Sequence, residues 1–117
     1  MMSNTERDNR IEYVELGAPD LELVKKFYAG VFGWRFTDYG PDYASFEAGP
    51  VGGGFWREAK AGGSPLVIMY ASDLEAKYEQ VKAFGGQIIK EIFSFPGGRR
   101  FQFRDPGGNE LAVWSDK

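Results

Sequence analysis

The sequence predicts an α+β domain built from two tandem βαβββ modules. Three observations predict it: a segment that recurs at constant spacing, hydrophobic periods that alternate between strand and helix, and glycine- and proline-rich breaks that divide both halves at corresponding places. Val14-Glu15-Leu16-Gly17-Ala18-Pro19-Asp20-Leu21-Glu22 reads like Val67-Ile68-Met69-Tyr70-Ala71-Ser72-Asp73-Leu74-Glu75. Ala18 and Ala71, Asp20 and Asp73, and Gly33 and Gly86 each stand 53 positions apart, an offset held across a strand, a cap, a helix and a turn. Two copies of one unit explain it.

The first copy opens with a short alternating run, Tyr13–Leu16, read as a strand. Leu23, Val24, Phe27, Tyr28 and Val31 then recur at helical spacing, with Phe27-Tyr28 read as core of an amphipathic helix. Strands follow over Trp34–Asp38, Tyr43–Glu47 and Gly52–Arg57, separated by the Gly40-Pro41 and Gly49-Pro50 turns. In the second copy Leu66–Tyr70 is the opening strand, and Leu74, Tyr78, Val81 and Phe84 give the helix. Gln87–Phe93, Arg100–Arg104 and Glu110–Trp114 are its remaining strands, divided by Pro96-Gly97-Gly98 and Asp105-Pro106-Gly107-Gly108-Asn109. Asp20 and Asp73 put carboxylates where free N–H groups and the positive dipole end favour them. Ser72 and Glu75 have the form of a capping box, and Gly33 and Gly86 are expected to end the helices as left-handed caps. The chain 1–117 is thus one domain: module one over 11–57, a linker over 58–65 and module two over 66–114.

Composition narrows the function. A chain of 117 residues, 43% apolar and 26% charged, is an ordinary globular domain able to bury a core without staples. Its net charge of −3 and pI near 5.0 do not suit sequence-independent nucleic-acid binding, which needs Lys and Arg to displace counterions. Apolar runs fall far short of the roughly 20 residues that span a bilayer, and the polar start Met1–Arg10 carries no signal-peptide core, so no membrane role and a cytoplasmic location are expected. Cysteine and histidine are both absent, which removes thiolate and imidazole ligands and the serine–histidine and cysteine–histidine nucleophile systems. Any bound metal would have to be held by oxygen.

The motifs Asp20-Leu21, Phe27-Tyr28, Val31-Phe32-Gly33-Trp34, Ser72-Asp73-Leu74 and Phe103-Arg104-Asp105-Pro106-Gly107-Gly108-Asn109 together resemble the vicinal-oxygen-chelate superfamily of glyoxalase, bleomycin-resistance and dioxygenase-like proteins. The resemblance covers about Ile11 to Trp114. It implies two modules folded into a cup-shaped curved mixed sheet with helices outside, a cleft for substrate or drug, and a homodimer. In metal-dependent members the ligands are a His opening each module's first strand, a Glu in the last strand and one further residue. Carried over by position, these fall on Tyr13, Leu66, Ala112 and the stretch Gly53–Phe55, none of which supplies such a ligand. The resemblance therefore points to a branch without the usual metal, and no cofactor is expected.

Strand alternation assigns companions to those positions. Tyr13 brings Glu15 to the cleft side, Leu66 brings Ile68 and Tyr70, and Ala112 brings Glu110 and Trp114. Phe55 or Trp56 is expected to contribute, with the strand register left open by the glycine run. The candidate ligand-binding residues are Tyr13, Phe55, Trp56, Ile68, Tyr70, Arg100 and Trp114, and the candidate catalytic carboxylates are Glu15 and Glu110. Each has a blander reading: Glu110 as a solvated strand mouth, the aromatics as packing, Arg99-Arg100 as a solvated turn rather than an anion clamp. Gly52-Gly53-Gly54 lacks the Lys-Ser/Thr tail of a phosphate loop and reads as a bulge or a close backbone approach.

An aromatic cleft with carboxylates suits metal-independent binding of a small aromatic or cationic molecule, by stacking and cation–π attraction. The alternative is an isomerase-, lyase- or dioxygenase-like enzyme working through Glu15, Glu110 or an atypical metal. A third is an interaction module with a vestigial cleft.

Overall fold

The computed structural model describes residues 4–58 and 65–117, so the expected linker over 58–65 lies mostly outside the described residues. A short helix, α1 (Asn4–Arg7), precedes the first module, β1 (Ile11–Ala18), α2 (Leu21–Phe32), β2 (Arg35–Asp38), β3 (Tyr43–Glu47) and β4 (Gly52–Arg57). The second module is β5 (Leu66–Tyr70), α3 (Leu74–Ala83), β6 (Gln87–Phe95), β7 (Gly98–Arg104) and β8 (Glu110–Ser115). The fold is α+β, βαβββ twice, as the repeat predicts. Contacts divide the chain into two compact units, Tyr13–Leu66 and Met1–Glu12 with Val67–Lys117.

In the first unit the strands run in the order β2-β3-β4-β1, antiparallel except for β1 and β4, which are parallel. In the second the order is β5-β8-β7-β6, and β5 and β8 are the parallel pair. Each module thus returns its last strand beside its first, a pairing no tight turn can make. β1, β6, β7 and β8 each run one to four residues further than the sequence reading marks, because strand ends are set by where pairing stops rather than by residue pattern.

Both helices start as predicted. The Asp20 carboxylate accepts from the Leu23 N–H at 3.3 Å, and Asp73 accepts from the Ala76 N–H at 3.0 Å. Leu21 and Leu74 are buried at the two equivalent first helical positions. Gly33 ends α2 in the left-handed conformation, its N–H donating to the Ala29 carbonyl. The second copy departs from the sequence reading in two places. Gly85, at φ 95°, takes the left-handed position, whereas Gly86 lies hard against Val81, where a Cβ would come within 2.9 Å of the Val81 carbonyl oxygen. Ser72 caps no helix: its N–H and hydroxyl both donate to Asp8, while Glu75 pairs with Arg99.

Each helix covers one face of its own sheet. Ala18, Leu21, Phe46 and Phe55 are the buried centre under α2, ringed by Leu16, Val24, Tyr28, Trp34 and Phe36. Tyr28 and Trp34 stack at 4.7 Å between ring centres, and Trp34 and Phe46 at 4.4 Å. Under α3 the centre is Ala71, Leu74, Phe101, Phe103 and Val113. Phe27 is 55% exposed, so only Tyr28 of the Phe27-Tyr28 pair is core. The helix turns its Leu21, Val24 and Tyr28 stripe inward, leaving Leu23, Phe27 and Val31 outside. No helix among the described residues is long and apolar enough to cross a membrane.

Candidate functional site

In the first module Leu16 and Ala18 point into the core under α2, so Tyr13, Glu15 and Gly17 lie on the helix-free face of β1. Strand register sets three rows across that face: Tyr13–Gly52–Glu47, Glu15–Gly54–Ser45 and Gly17–Trp56–Tyr43. Tyr13 and Tyr43 therefore flank Gly54 diagonally, and their side chains lean over it until the hydroxyls meet in a hydrogen bond. A Cβ on Gly54 would collide with the Tyr43 hydroxyl and come within 2.7 Å of that of Tyr13. Gly53 is needed on the opposite face, where the Phe46 ring and the Val14 carbonyl oxygen, 2.6 Å from a would-be Cβ, crowd the backbone. The glycine run is a close approach from both sides, with extended rather than left-handed backbone.

The Tyr43 hydroxyl also donates to Glu15 Oε2 at 3.4 Å. Burial pushes the Tyr43 phenol far above its usual range, and the Tyr13 hydrogen bond and the Glu15 charge act in the same direction. Tyr43 is thus a neutral hydroxyl near neutral pH. Trp56, in the Tyr43 row, keeps 47% of its surface exposed. Phe55 is a correction to the expected site: one residue out of phase with Trp56, it is buried with Phe46 under α2.

In the second module the same parity holds. Register aligns Ile68–Ala112–Gln102–Lys90 and Tyr70–Trp114–Arg100–Phe93 on the helix-free face, so Ile68, Tyr70, Glu110 and Trp114 share a face as expected. Much of it is sealed. Ile68 and Ala112 are buried, and Tyr70 is 0% exposed. The Arg7 guanidinium lies 3.8 Å from the Tyr70 ring centre and 5.6 Å from that of Trp114. Glu12 holds Arg7 through two bonds of 2.7 and 2.8 Å and accepts from the Trp114 indole N–H at 3.1 Å. The Tyr70 hydroxyl donates to Asp116 at 2.6 Å; burial and that bond push the phenol up to about 12. Ile68 and Tyr70, expected as ligand contacts, therefore have almost no surface to offer, and the polar edge of Trp114 is already bonded.

Arg100 is half-buried beside Phe93 and Phe95, at 5.4 and 5.8 Å from their ring centres. Glu110 is exposed at the mouth of β8 and accepts from the Gln102 amide at 2.8 Å. Glu15 and Glu110 belong to different units. The sequence reading missed Tyr43, Gly54 as the glycine that admits it, and the Arg7–Glu12 clamp. Tyr43 opens the expected strand Tyr43–Glu47, but only the pairing of β3 with β4 shows which face it takes and that it meets Tyr13. A groove of about 480 Å³ also opens between the start of α2 and the ends of β2 and β4, lined by Asp20, Lys25, Asp38, Pro41 and Arg57 among others. It contains none of the expected site residues, and its cations are committed: Lys25 to Glu22 and Asp38, Arg57 to Asp42.

This strand order, the mirrored helix starts and the rows facing away from the helices agree with one known family, whose model, the Glyoxalase/Bleomycin resistance protein/Dioxygenase superfamily, matches residues 10–113. The chain belongs to this superfamily. It is 27% identical to the anthracycline biosynthesis protein DnrV of Streptomyces peucetius, across 87% of this chain and 45% of that one. DauV of Streptomyces sp. (strain C5), likewise an anthracycline biosynthesis protein, matches to the same extent. The chain thus spans under half the length of the curated relatives it matches. Among solved structures, the Mn(II)-bound glyoxalase of Novosphingobium aromaticivorans is 26% identical with a TM-score of 0.69, over 94% of this chain and 40% of that one. The methylmalonyl-CoA epimerase of Mycobacterium tuberculosis is 14% identical with a TM-score of 0.72, over 98% and 92%, a likeness of fold.

Metal-binding members of the superfamily make the donor set worth testing here. At the implied ligand positions stand a phenol bonded to a second phenol (Tyr13), Leu66, the buried Ala112, and glycines beside the core residue Phe55. Among the described residues no group of three or more Asp or Glu side chains is placed to hold an ion. The residues present do not fit the family's metal.

Proposed function

We propose that this superfamily member binds a planar organic small molecule without a metal, using the helix-free face that carries Tyr13, Glu15, Tyr43 and Trp56. The observation that carries the reading is the Tyr13–Tyr43 pair over Gly54: where the resemblance puts a metal-binding side chain, the chain has two hydrogen-bonded hydroxyls with a carboxylate beside them. Trp56 offers an accessible aromatic face in the same row, and Glu15 favours a ligand with donor or cationic character. The anthracycline biosynthesis names of two relatives support a fused-ring aromatic ligand class.

The test is a pair of measurements on one preparation. After equilibration with Mn²⁺, Zn²⁺, Ni²⁺ and Fe²⁺ and dialysis, elemental analysis should find well under one metal per chain. Titration with an anthracycline should quench tryptophan fluorescence saturably, and Trp56→Ala should remove most of that quenching. Stoichiometric metal, or no saturable binding across a panel of planar aromatics, overturns the reading.

The half-burial of Glu15 and its bond to Tyr43 favour a second reading, an enzyme in which Glu15 is the base. Glu110, exposed and held by Gln102, is the weaker partner in that reading. Turnover of any bound compound that is abolished in Glu15→Gln while binding persists would establish it.

A further inference from the structure

We propose that Trp56 and Glu58 form an organic-cation subsite on the helix-free face of the first module, taking a protonated amine on the ligand. The proposal rests on the metal-free binding reading and names a group that this face selects. Its basis is the second module, where the equivalent arrangement is filled from within. Trp114 lies on the last strand beside Tyr70, and Asp116 is the first residue past that strand. The Arg7 guanidinium lies 3.8 Å from the Tyr70 ring centre and 5.6 Å from that of Trp114, and its Nη1 donates to Asp116 Oδ2 at 3.4 Å. A tryptophan with a carboxylate two residues on thus helps, together with Tyr70 and Glu12, to hold a cation.

The first module repeats the tryptophan and the carboxylate without the cation. Trp56 lies on the last strand beside Gly17, and Glu58 is the first residue past that strand. The Glu58 N–H donates to the Ala18 carbonyl at 3.0 Å, which continues the strand pairing and keeps Glu58 on the face of Trp56. Because residue 17 is glycine, the Glu58 side chain folds onto the backbone there, and a Cβ on Gly17 would collide with its carboxylate. The carboxylate therefore lies over the Cα partner of Trp56, whose ring is half-exposed. Among the described residues no cation or hydrogen-bond donor pairs with the Glu58 side chain, although the residue is partly buried. Drawing a carboxylate from water without a partner is unfavourable, and a cation bearing N–H groups supplies one. Neighbouring Arg57 does not: it is turned to the opposite face and bonded to Asp42 and the Pro41 carbonyl.

The experiment compares 2-(aminomethyl)anthraquinone with 2-(hydroxymethyl)anthraquinone, two tricycles of one shape of which only the first is cationic near neutral pH. Isothermal titration is run in neutral low-salt buffer on the full chain and on Glu58→Gln and Gly17→Ala. The amine should bind roughly tenfold or more tightly than the alcohol. Glu58→Gln removes the charge, and Gly17→Ala keeps it but displaces the carboxylate. Each should bring the ratio close to one while leaving the alcohol's affinity within about twofold, since the Trp56 ring is unchanged. Where Gly17→Ala fails to fold, as judged by its thermal melt, Glu58→Gln decides alone. Equal affinities in the parent chain, or a ratio that survives in Glu58→Gln or in a folded Gly17→Ala, overturns the subsite while leaving metal-free binding standing. Failure of both compounds to bind overturns the subsite and the parent reading together.

Discussion

The two modules carry equivalent rows on their helix-free faces, and the side chains in them have opposite fates. Strand register makes Gly17–Trp56–Tyr43 in the first module the counterpart of Tyr70–Trp114–Arg100 in the second. In the second, Tyr70 stands where the first has Gly17 with the Glu58 side chain lying over it, and Arg7, Glu12 and Asp116 close over the two rings until Tyr70 has no surface. In the first, Trp56 stays half-exposed and the phenols meet over a glycine. Identical backbone parity has produced sealed core in one copy and an accessible polar-aromatic face in the other. The volume of the residue at a single row position, and the polar groups that reach it, decide which.

That contrast can be broken at its strongest point first. Gly53→Ala should destabilise the protein by about 3 kcal/mol in denaturant unfolding, because its Cβ meets both the Phe46 ring and the Val14 backbone. The counterpart, Leu111, already holds a packed side chain, so the cost is a property of the first module alone. A loss under about 1 kcal/mol would mean that the sheet yields there and that the glycine run has another cause.

Tyr70→Phe should come next, at about 1–2 kcal/mol near neutral pH, through loss of the bond to Asp116. Its pH dependence sharpens the comparison. The Tyr70 hydroxyl holds the Asp116 carboxyl below its usual value. A carboxyl lowered in the folded state adds stability above its unfolded value of about 4, and that stability is lost as pH falls through the lowered value. The difference between parent and variant should therefore be full at neutral pH and shrink in acid, as read from melts across that range. A gap that widens in acid would contradict the assignment.

Gly54→Ala gives the first module the residue of its counterpart, Ala112, and should cost about 1 kcal/mol. The atoms displaced are the ends of two tyrosine side chains, which swing aside more cheaply than backbone. Ultraviolet difference titration should then show the Tyr43 phenol ionising at lower pH than in the parent, since burial and the Tyr13 bond are what raise it. The smallest effect belongs to Phe27→Ser, within about 0.5 kcal/mol, because that ring lies outside the core. Thermal melts of Phe27→Ser and Tyr28→Ala side by side should differ by several degrees, the second removing a ring stacked on Trp34.

Much of the fold was legible because its determinants are local. Asp20 and Asp73 specify helix starts from one residue's chemistry, and alternation, counted from the positions the family resemblance put on the cleft side, grouped Glu15, Ile68, Tyr70, Glu110 and Trp114 with them without reference to any partner strand. Phe55 was misplaced because the flanking glycines erase alternation, and its phase is fixed only by pairing with Leu16 and Ala44. Gly86 was misread because Gly85 and Gly86 are indistinguishable to a propensity argument, whereas the Val81 backbone distinguishes them at once. The outward row Leu23, Phe27 and Val31 satisfies helical spacing as well as the buried one does, and only the position of the sheet selects between them.

By itself, then, the sequence determined the duplication, the element order, the side-chain parity of most strands and the absence of histidine and cysteine ligands, all of them properties of spacing and residue type. The tertiary structure decided which side chains on the chosen face meet. Tyr13 and Tyr43 are 30 positions apart and Arg7 and Tyr70 are 63, and no local rule relates them. Contacts of that kind depend on which strands become neighbours and at what register, and that choice is made by the burial of the whole core rather than by any short stretch of chain.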